Sequence, residues 1–246
     1  MQEVLMVEGL SKSYHGKQAL NNLCITIKKG EVFGILGANG AGKSTAIECI
    51  LGTKRKDNGT VSILGMSPHR NKKALFQKVG VQFQDSNYQR EIRVDELCLE
   101  TSVLYHEVED WKKLLQHFGI AKLEKRKVKD LSGGERQRLF VVLALIPKPN
   151  VVFFDEITTG LDARARRDVW KILKDRKKAG LTIILTSHFM DEIEELCDQI
   201  LILKKGKTVF HGTVLEALTD STCDKFEDAY LYFSDDEKEV PFDESI

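Results

Sequence analysis

The sequence predicts an α/β protein: a mostly parallel strand core, an antiparallel β subdomain near the N-terminus and an inserted α-helical subdomain. Three observations carry this. The runs EVFGIL (31–36), VVFF (151–154), LTIILT (181–186) and QILIL (199–203) have the near-continuous apolar character of strands buried on both faces. LCITIK (23–28) instead alternates, placing Leu23, Ile25 and Ile27 on one face. Between about residues 85 and 148 there is no convincing strand, so this stretch reads as a helical insertion between two strand–helix halves.

Each element follows from its local pattern. GTVSILG (59–65) and VGVQF (79–83) read as short strands between turns. KSTAIECILG (43–52) reads as a helix closed by Gly52. In VEDWKKLLQHFG (108–119), Trp111, Leu114, Leu115 and Phe118 recur at i, i+3, i+4 and i+7, one face of a helix. ARARRDVWKILKDRKKAG (163–180) repeats the design with Val169, Ile172 and Leu173, and Gly180 as its stop. DQILILKKGKTVFHG (198–212) predicts a hairpin turning at Lys205–Gly206.

The 246 residues suit one large domain or two lobes, and 42% hydrophobic with 30% charged residues is an ordinary globular balance. The longest apolar run, LFVVLALI (139–146), is far short of the about 20 residues that span a bilayer. The N-terminus lacks a basic start followed by an apolar core, so a cytosolic location is expected. The five cysteines, Cys24, Cys49, Cys98, Cys197 and Cys223, form no CxxC pair and are expected to be reduced thiols, mostly in the core. The net charge is zero but uneven. From Asp220 onward ten acids face two lysines, a net of −8, and residues 1–219 carry the balancing +8. The basic body suits a polyphosphate ligand or an anionic surface, and scattered solvated lysines explain most of it equally well. Residues 221–246 are expected to be an acidic, solvated tail after a domain spanning 1–220.

The chemistry concentrates in a few short stretches. GANGAGKST (37–45) contains Gly37-x4-Gly42-Lys43-Ser44 between a buried strand and a helix, the context of a phosphate loop. Its glycines let the backbone turn N–H groups inward, the helix N-terminus favours anions, Lys43 supplies charge and the Ser44 hydroxyl suits Mg²⁺. VVFFDE ends a buried strand in Asp155, placed to hold Mg²⁺, and Glu156, placed to polarise a water as a general base. Taken alone, acids after a strand are commonplace. Gln84 and His188 each follow a strand, where open α/β sheets place their sites. His188 alone reads as readily as a structural histidine, and spacing alone does not choose between Gln82 and Gln84. Tyr14, just before a strand, could stack on a base or fill an ordinary surface or core position. DLSGGERQR (130–138) is a second glycine-bearing loop running into an apolar helix, but with no lysine.

Together, Tyr14, GANGAGKST, Gln84, LSGGERQR, VVFFDE, TGLD (159–162) and TSH (186–188) resemble, in order and spacing, the nucleotide-binding subunit of ATP-binding cassette transporters over about residues 4–215. The resemblance implies a phosphate-loop NTPase core and an ATPase using ATP and Mg²⁺. It implies that Tyr14 stacks on adenine. Gly37, Asn39, Gly40, Ala41, Gly42, Lys43, Ser44 and Thr45 then form the Walker A loop, with Lys43 on the β- and γ-phosphates and Ser44 on the metal. Gln84, preferred to Gln82 on this basis, would contact Mg²⁺ and water. Asp155 would serve the metal, Glu156 catalysis, Asp162 communication between sites, and His188 the γ-phosphate. One departure is DEIT where most members have DEPT; Ile157 in place of proline releases a fixed φ, with the carboxylates intact.

The resemblance also implies a head-to-tail dimer with a second copy or a paralogous ATPase subunit. Ser132, Gly133 and Gly134 of one subunit would close on the ATP held by the other. A separate transmembrane permease is then expected as partner, seated near 85–99, placing the chain on the inner face of the membrane. FHGTVLEAL followed by FEDAYLYF resembles the ends of bacterial exporter-type subunits, so export is expected, and no nucleic-acid partner. The rival is a soluble cassette ATPase acting on ribosomes or DNA. Ribosome-acting relatives usually carry two cassettes, and DNA-repair relatives carry zinc cysteines or long coiled coils. A phosphate-loop kinase is a third reading, disfavoured by LSGGERQR.

Overall fold

The computed structural model describes residues 2–83, 88–89 and 91–235. The chain divides into two compact units, Met1–Asn71 with Ile184–Ile246, and Lys72–Ile183.

The first unit opens with a long hairpin. β1 (Glu3–Tyr14) and β2 (Lys17–Lys28) run antiparallel from Glu3↔Lys28 to Tyr14↔Lys17. His15 (φ 47°) and Gly16 (φ 79°) make the turn, and two left-handed residues match the twist of the flanking strands. Leu23, Ile25 and Ile27 of β2 are buried, the face that alternation predicts. β3 (Val32–Leu36) is buried at every position, as its continuous apolar run requires. α1 (Lys43–Ile50) follows the phosphate loop, and β4 (Asn58–Ile63) joins the free edge of β1. β1, β2 and β4 form the expected antiparallel sheet near the N-terminus.

The second unit contains α2 (Lys72–Phe76), β5 (Val79–Gln82), α3 (Val94–Val103), α4 (Trp111–His117), α5 (Gly133–Leu145), β6 (Val151–Asp155) and α6 (Ala163–Lys178). Short 3-10 turns cover Ala121–Leu123 and Val128–Asp130. β5 and β6 pair in parallel, Val79↔Val151 to Gln82↔Phe154. A Cβ at Gly80 would lie 2.0 Å from the Ala144 carbonyl oxygen, so only glycine lets β5 approach α5 this closely. On the α4 face read from spacing Leu114, Leu115 and Phe118 are buried and Trp111 half-buried; on α6 Val169 and Leu173 are buried, Ile172 is half-buried, and Trp170, which spacing did not single out, is buried too. Arg176 grips Glu109 through two 2.7 Å hydrogen bonds, fastening the end of α6 to the segment leading into α4.

β7 (Thr182–Thr186) leads from the second unit back into the first. There α7 (Met190–Leu196), β8 (Gln199–Lys204), β9 (Lys207–Gly212), α8 (Val214–Ser221) and α9 (Phe226–Ser234) complete the chain. β3 and β8 are parallel, Phe33↔Gln199 to Leu36↔Ile202. β8 and β9 form the hairpin expected at Lys205–Gly206, with φ of 48° and 78°. With parallel pairs in both units and the antiparallel N-terminal sheet, the protein is α/β as predicted.

Two expectations need correction. The acidic tail is a packed helix through Ser234: Phe226, Ala229 and Phe233 of α9 are buried, and the Phe233 ring lies 4.7 Å from that of Phe210. Its acids sit on the outward face of an amphipathic helix, which a count of charges does not separate from a solvated tail. Residues 236–246 lie outside the described residues. All five cysteines are free thiols, but only Cys49 and Cys98 are buried, and Cys24 is exposed.

Candidate functional site

The phosphate loop is shaped by three glycines that no other residue could replace without strain. Gly37 (φ 149°), Gly40 (φ 80°) and Gly42 (φ 113°) all occupy left-sided backbone. A Cβ at Gly37 would fall 2.5 Å from the Leu203 carbonyl oxygen, and one at Gly42 2.6 Å from that of Ala19. At Gly40 a Cβ would meet nothing within 4 Å among the described residues, so that position is open on its outer side. Ala41 N–H donates to the Ala38 carbonyl (3.0 Å), and Gly206 N–H donates to the Ala41 carbonyl (2.9 Å), anchoring the loop against the β8–β9 turn. Lys43 is buried, and its ammonium donates to the carbonyls of Gly37 (2.6 Å) and Ala38 (3.2 Å). Asn39 and Ser44 are exposed and Thr45 is half-buried. Gly42 takes the N-cap position of α1 and has no side chain to cap it. The loop is therefore a concave ring of backbone with one cation, suited to a polyanion.

Tyr14 ends β1 in the same unit and is 37% exposed. The ammoniums of Lys12 and Lys54 stand over its ring, 5.2 and 5.8 Å from the centroid. His188 also belongs to this unit: it is exposed, follows β7, and its ring stacks at 4.4 Å on Phe189. The Phe189 N–H donates to Ser187 Oγ (3.0 Å), setting the turn that carries the histidine.

The second unit carries the acidic half. Asp155 is buried at the end of β6. Glu156 follows with φ 56°, a left-handed conformation unusual for glutamate and of a kind stored at functional sites. Its carbonyl accepts from Gln137 Nε2 (3.3 Å) and from Thr159 N–H (3.2 Å), and its carboxylate accepts from Thr159 Oγ1 (3.5 Å). Ile157 is fully buried. Side-chain burial of Ile157 thus anchors the turn. Asp162 is the N-cap of α6, its Oδ1 accepting from Arg164 N–H (2.9 Å) and Ala165 N–H (2.8 Å).

The signature stretch builds the start of α5. Ser132 is an exposed N-cap whose Oγ accepts from Glu135 N–H (3.2 Å), while Glu135 Oε2 accepts from Ser132 N–H (2.9 Å), a capping box. That hydrogen bond to Ser132 N–H holds the Glu135 carboxyl below its usual pKa. A Cβ at Gly133 would meet nothing within 4 Å among the described residues; at Gly134 it would lie 3.3 Å from Leu161 Cδ2. Gly134 thus packs beside the turn that carries Asp162. Arg138 reaches back to the Gly134 and Phe118 carbonyls, both at 3.4 Å.

The expected residues therefore fall into two groups. Tyr14, the phosphate loop and His188 lie in one unit, and Asp155, Glu156, Asp162 and the signature stretch in the other. Gln84 lies outside the described residues. Gln82, the alternative that spacing left open, is buried on β5, its amide donating to the Phe83 carbonyl (3.0 Å). Sequence reading missed Gln137 and Thr159, which hold Glu156 in place. Gln137 falls inside the quoted signature stretch, but nothing in its spacing points to Glu156.

Comparison with known proteins agrees with this geometry. The profile of the ABC transporter family matches residues 20–159. A protein named Nod factor export ATP-binding protein I, from Rhizobium johnstonii, is 39% identical over 211 residues, covering 83% of this chain and 67% of its own. Among solved structures, an ATP-binding subunit of an ABC transporter superposes with a TM-score of 0.86 at 24% identity, covering 94% of this chain and 99% of that one. The structure of cbiO1 from Clostridium perfringens, part of the ABC transporter complex cbiONQ, superposes with a TM-score of 0.77 at 27% identity, covering 89% and 92%. The chain belongs to the ABC transporter family, as an ATP-binding and ATP-hydrolysing transporter subunit.

Proposed function

We propose that this subunit drives export through a separate membrane-spanning permease, hydrolysing Mg²⁺-bound ATP at a site that a second ATPase subunit completes. The observation that carries the reading is the unequal pair of glycine loops. The first brings a buried lysine to an uncapped helix start. The second offers an exposed serine and open backbone at a helix start, with no lysine. A loop that closes on a phosphate already neutralised elsewhere needs donors rather than another cation.

In this reading Lys43 and the loop amides from Gly37 to Thr45, Asn39, Gly40 and Ala41 included, hold the β- and γ-phosphates while Tyr14 stacks on the base. Among the described residues no three His, Cys, Asp or Glu side chains converge on a metal position. Mg²⁺ takes one or two carboxylates plus phosphate oxygens, and the all-oxygen set of Ser44 and Asp155, with Gln84, fits it. A bound Mg²⁺ would neutralise charge on the transferring phosphoryl group. Glu156 accepts the proton of the attacking water as that oxygen bonds to the γ-phosphorus and the bond to the bridging oxygen breaks, leaving ADP and phosphate. Gln84 orients the water and His188 contacts the γ-phosphate. Ser132, Gly133 and Gly134 of a second copy, or of a paralogous subunit, close over the same phosphate, and Asp162 links the two sites. Loss of the γ-phosphate removes the contact both subunits share, so the interface opens.

Export is favoured by the relative named for that direction. Among the described residues no helix is long and apolar enough to cross a membrane. In this reading a separate permease provides the membrane path and holds the subunit at the inner membrane face. Two experiments test the reading. Glu156→Gln should bind ATP, lose about 10²- to 10⁴-fold in turnover, and elute as a dimer only with ATP; near-normal turnover rejects the assignment. Affinity purification from native membranes should recover an integral membrane protein; recovery with ribosomes instead would favour a non-transport ATPase.

A further inference from the structure

Two lysines stand over the Tyr14 ring, and each is tethered by a carboxylate. Lys12 Nζ is 5.2 Å from the ring centroid and 2.9 Å from Asp57 Oδ1. Lys54 Nζ is 5.8 Å from the same centroid and 2.6 Å from Glu48 Oε2. The tethers are themselves fixed. Asp57 Oδ2 accepts from Ser13 N–H (2.6 Å), and Asp57 N–H donates to the Ser11 carbonyl (2.9 Å). The N–H groups of Thr53 and Lys54 donate to the Glu48 carbonyl at 3.0 and 3.1 Å. The loop after α1 is thus stitched to the helix at one end and to the tip of β1 at the other. Glu48 lies four residues after Ser44, on the same face of α1. The aromatic ring is therefore mechanically linked to the helix that begins at the phosphate loop.

We infer that Lys54, held by Glu48 and seconded by the Lys12–Asp57 pair, is a positioning residue for the nucleotide base. A tyrosine at a hairpin tip must give up rotamer freedom each time a base stacks on it, and that cost weakens binding. An ammonium over the ring is attracted by its quadrupole and holds the ring in one orientation beforehand. Because Lys54 is tied to Glu48, that orientation is set relative to α1, the helix that begins at Lys43 and Ser44. Lys54 keeps its charge throughout, since the bond to Glu48 raises its pKa. The inference rests on Tyr14 stacking on the base and deepens that reading.

The test measures affinity of the full chain for ATP and for inorganic tripolyphosphate, which has no base to stack. Lys54→Met should weaken ATP about 3- to 10-fold, the scale of one immobilised side chain. KM should rise by the same factor with kcat at saturation unchanged, and tripolyphosphate affinity should not move. Lys54→Arg, which can keep both the ion pair and the ring contact, should restore ATP affinity. In a Tyr14→Ala background, Lys54→Met should add nothing. Equal loss of tripolyphosphate affinity, or full additivity with Tyr14→Ala, would overturn the inference. If Tyr14→Ala itself leaves ATP affinity unchanged, the stacking reading fails. If Tyr14→Ala weakens ATP but Lys54→Met does not, only the positioning role fails.

Discussion

The phosphate loop before α1 and the signature loop before α5 both turn the chain into a helix N-terminus, yet their glycines answer different needs. In the first, Gly37 and Gly42 are required by the protein's own interior: their φ values and the carbonyls of Leu203 and Ala19 leave no room for a Cβ. In the second, a Cβ at Gly133 would meet nothing within 4 Å among the described residues, and one at Gly134 would press on Leu161 Cδ2 at 3.3 Å and lie 3.6 Å from the Gly160 carbonyl oxygen. The caps differ in the same sense. α1 begins at a glycine with no side chain to cap it, whereas α5 begins with a serine–glutamate capping box that satisfies the amides of Ser132 and Glu135. The first loop is built as a rigid receptor for an anion. The second carries its own side-chain cap, and no described residue requires its exposed Gly133 to lack a side chain. Glycine without an internal reason points outward, to a close approach by something else.

The sharpest way to break this contrast is to fill the second loop. Ser132→Arg and Gly134→Asp should each leave ATP binding to the monomer largely intact while turnover falls more than about 100-fold and the ATP-dependent dimer is lost. Equilibrium binding, phosphate release and sizing chromatography on the same samples check this, and intact turnover would remove the second loop from the site. Filling the first loop should instead harm the fold. Gly42→Ala forces a left-sided φ and a 2.6 Å clash with backbone, so a loss of about 1–3 kcal/mol in denaturant unfolding is expected, together with loss of ATP binding. Gly133→Ala is the matched control: with ordinary φ and open space, alanine should leave stability unchanged or raise it by about 0.5–1 kcal/mol. A destabilised Gly133→Ala would mean that this glycine does have an internal role.

The smallest effect concerns the capping box. The folded pKa of Glu135 lies below its ordinary value of 4.5, so its contribution is complete above about that pH and is lost as pH falls through the lowered value. Glu135→Gln should therefore cost about 0.5–1 kcal/mol at neutral pH and flatten the acid limb of the stability profile. An unchanged acid limb would show that the cap does not hold in solution.

Much of this was legible from local pattern. The continuous run at 151–154 predicted a doubly buried strand and β6 is one; the glycine at 206 predicted the β8–β9 turn. Other features were not legible, because their causes lie far away in sequence. Gly80 is dictated by the Ala144 carbonyl, and Gly42 by the Ala19 carbonyl and the Leu20 side chain, none of which any window around them contains. The packing of α9 was hidden by its acids, since Phe233 matters only once the Phe210 ring is there to meet it.

The sequence by itself determined the class of fold, the phosphate loop, the acidic pair Asp155–Glu156 and the lysine-free signature loop, because each is written in contiguous residues whose chemistry is local. Only the tertiary structure decided which glycines are structural, that Gln137 and Thr159 hold Glu156 in its left-handed turn, that Ile157 anchors that turn by burial, and that Lys12 and Lys54 converge on Tyr14. Those relations depend on distances between side chains that folding alone brings together.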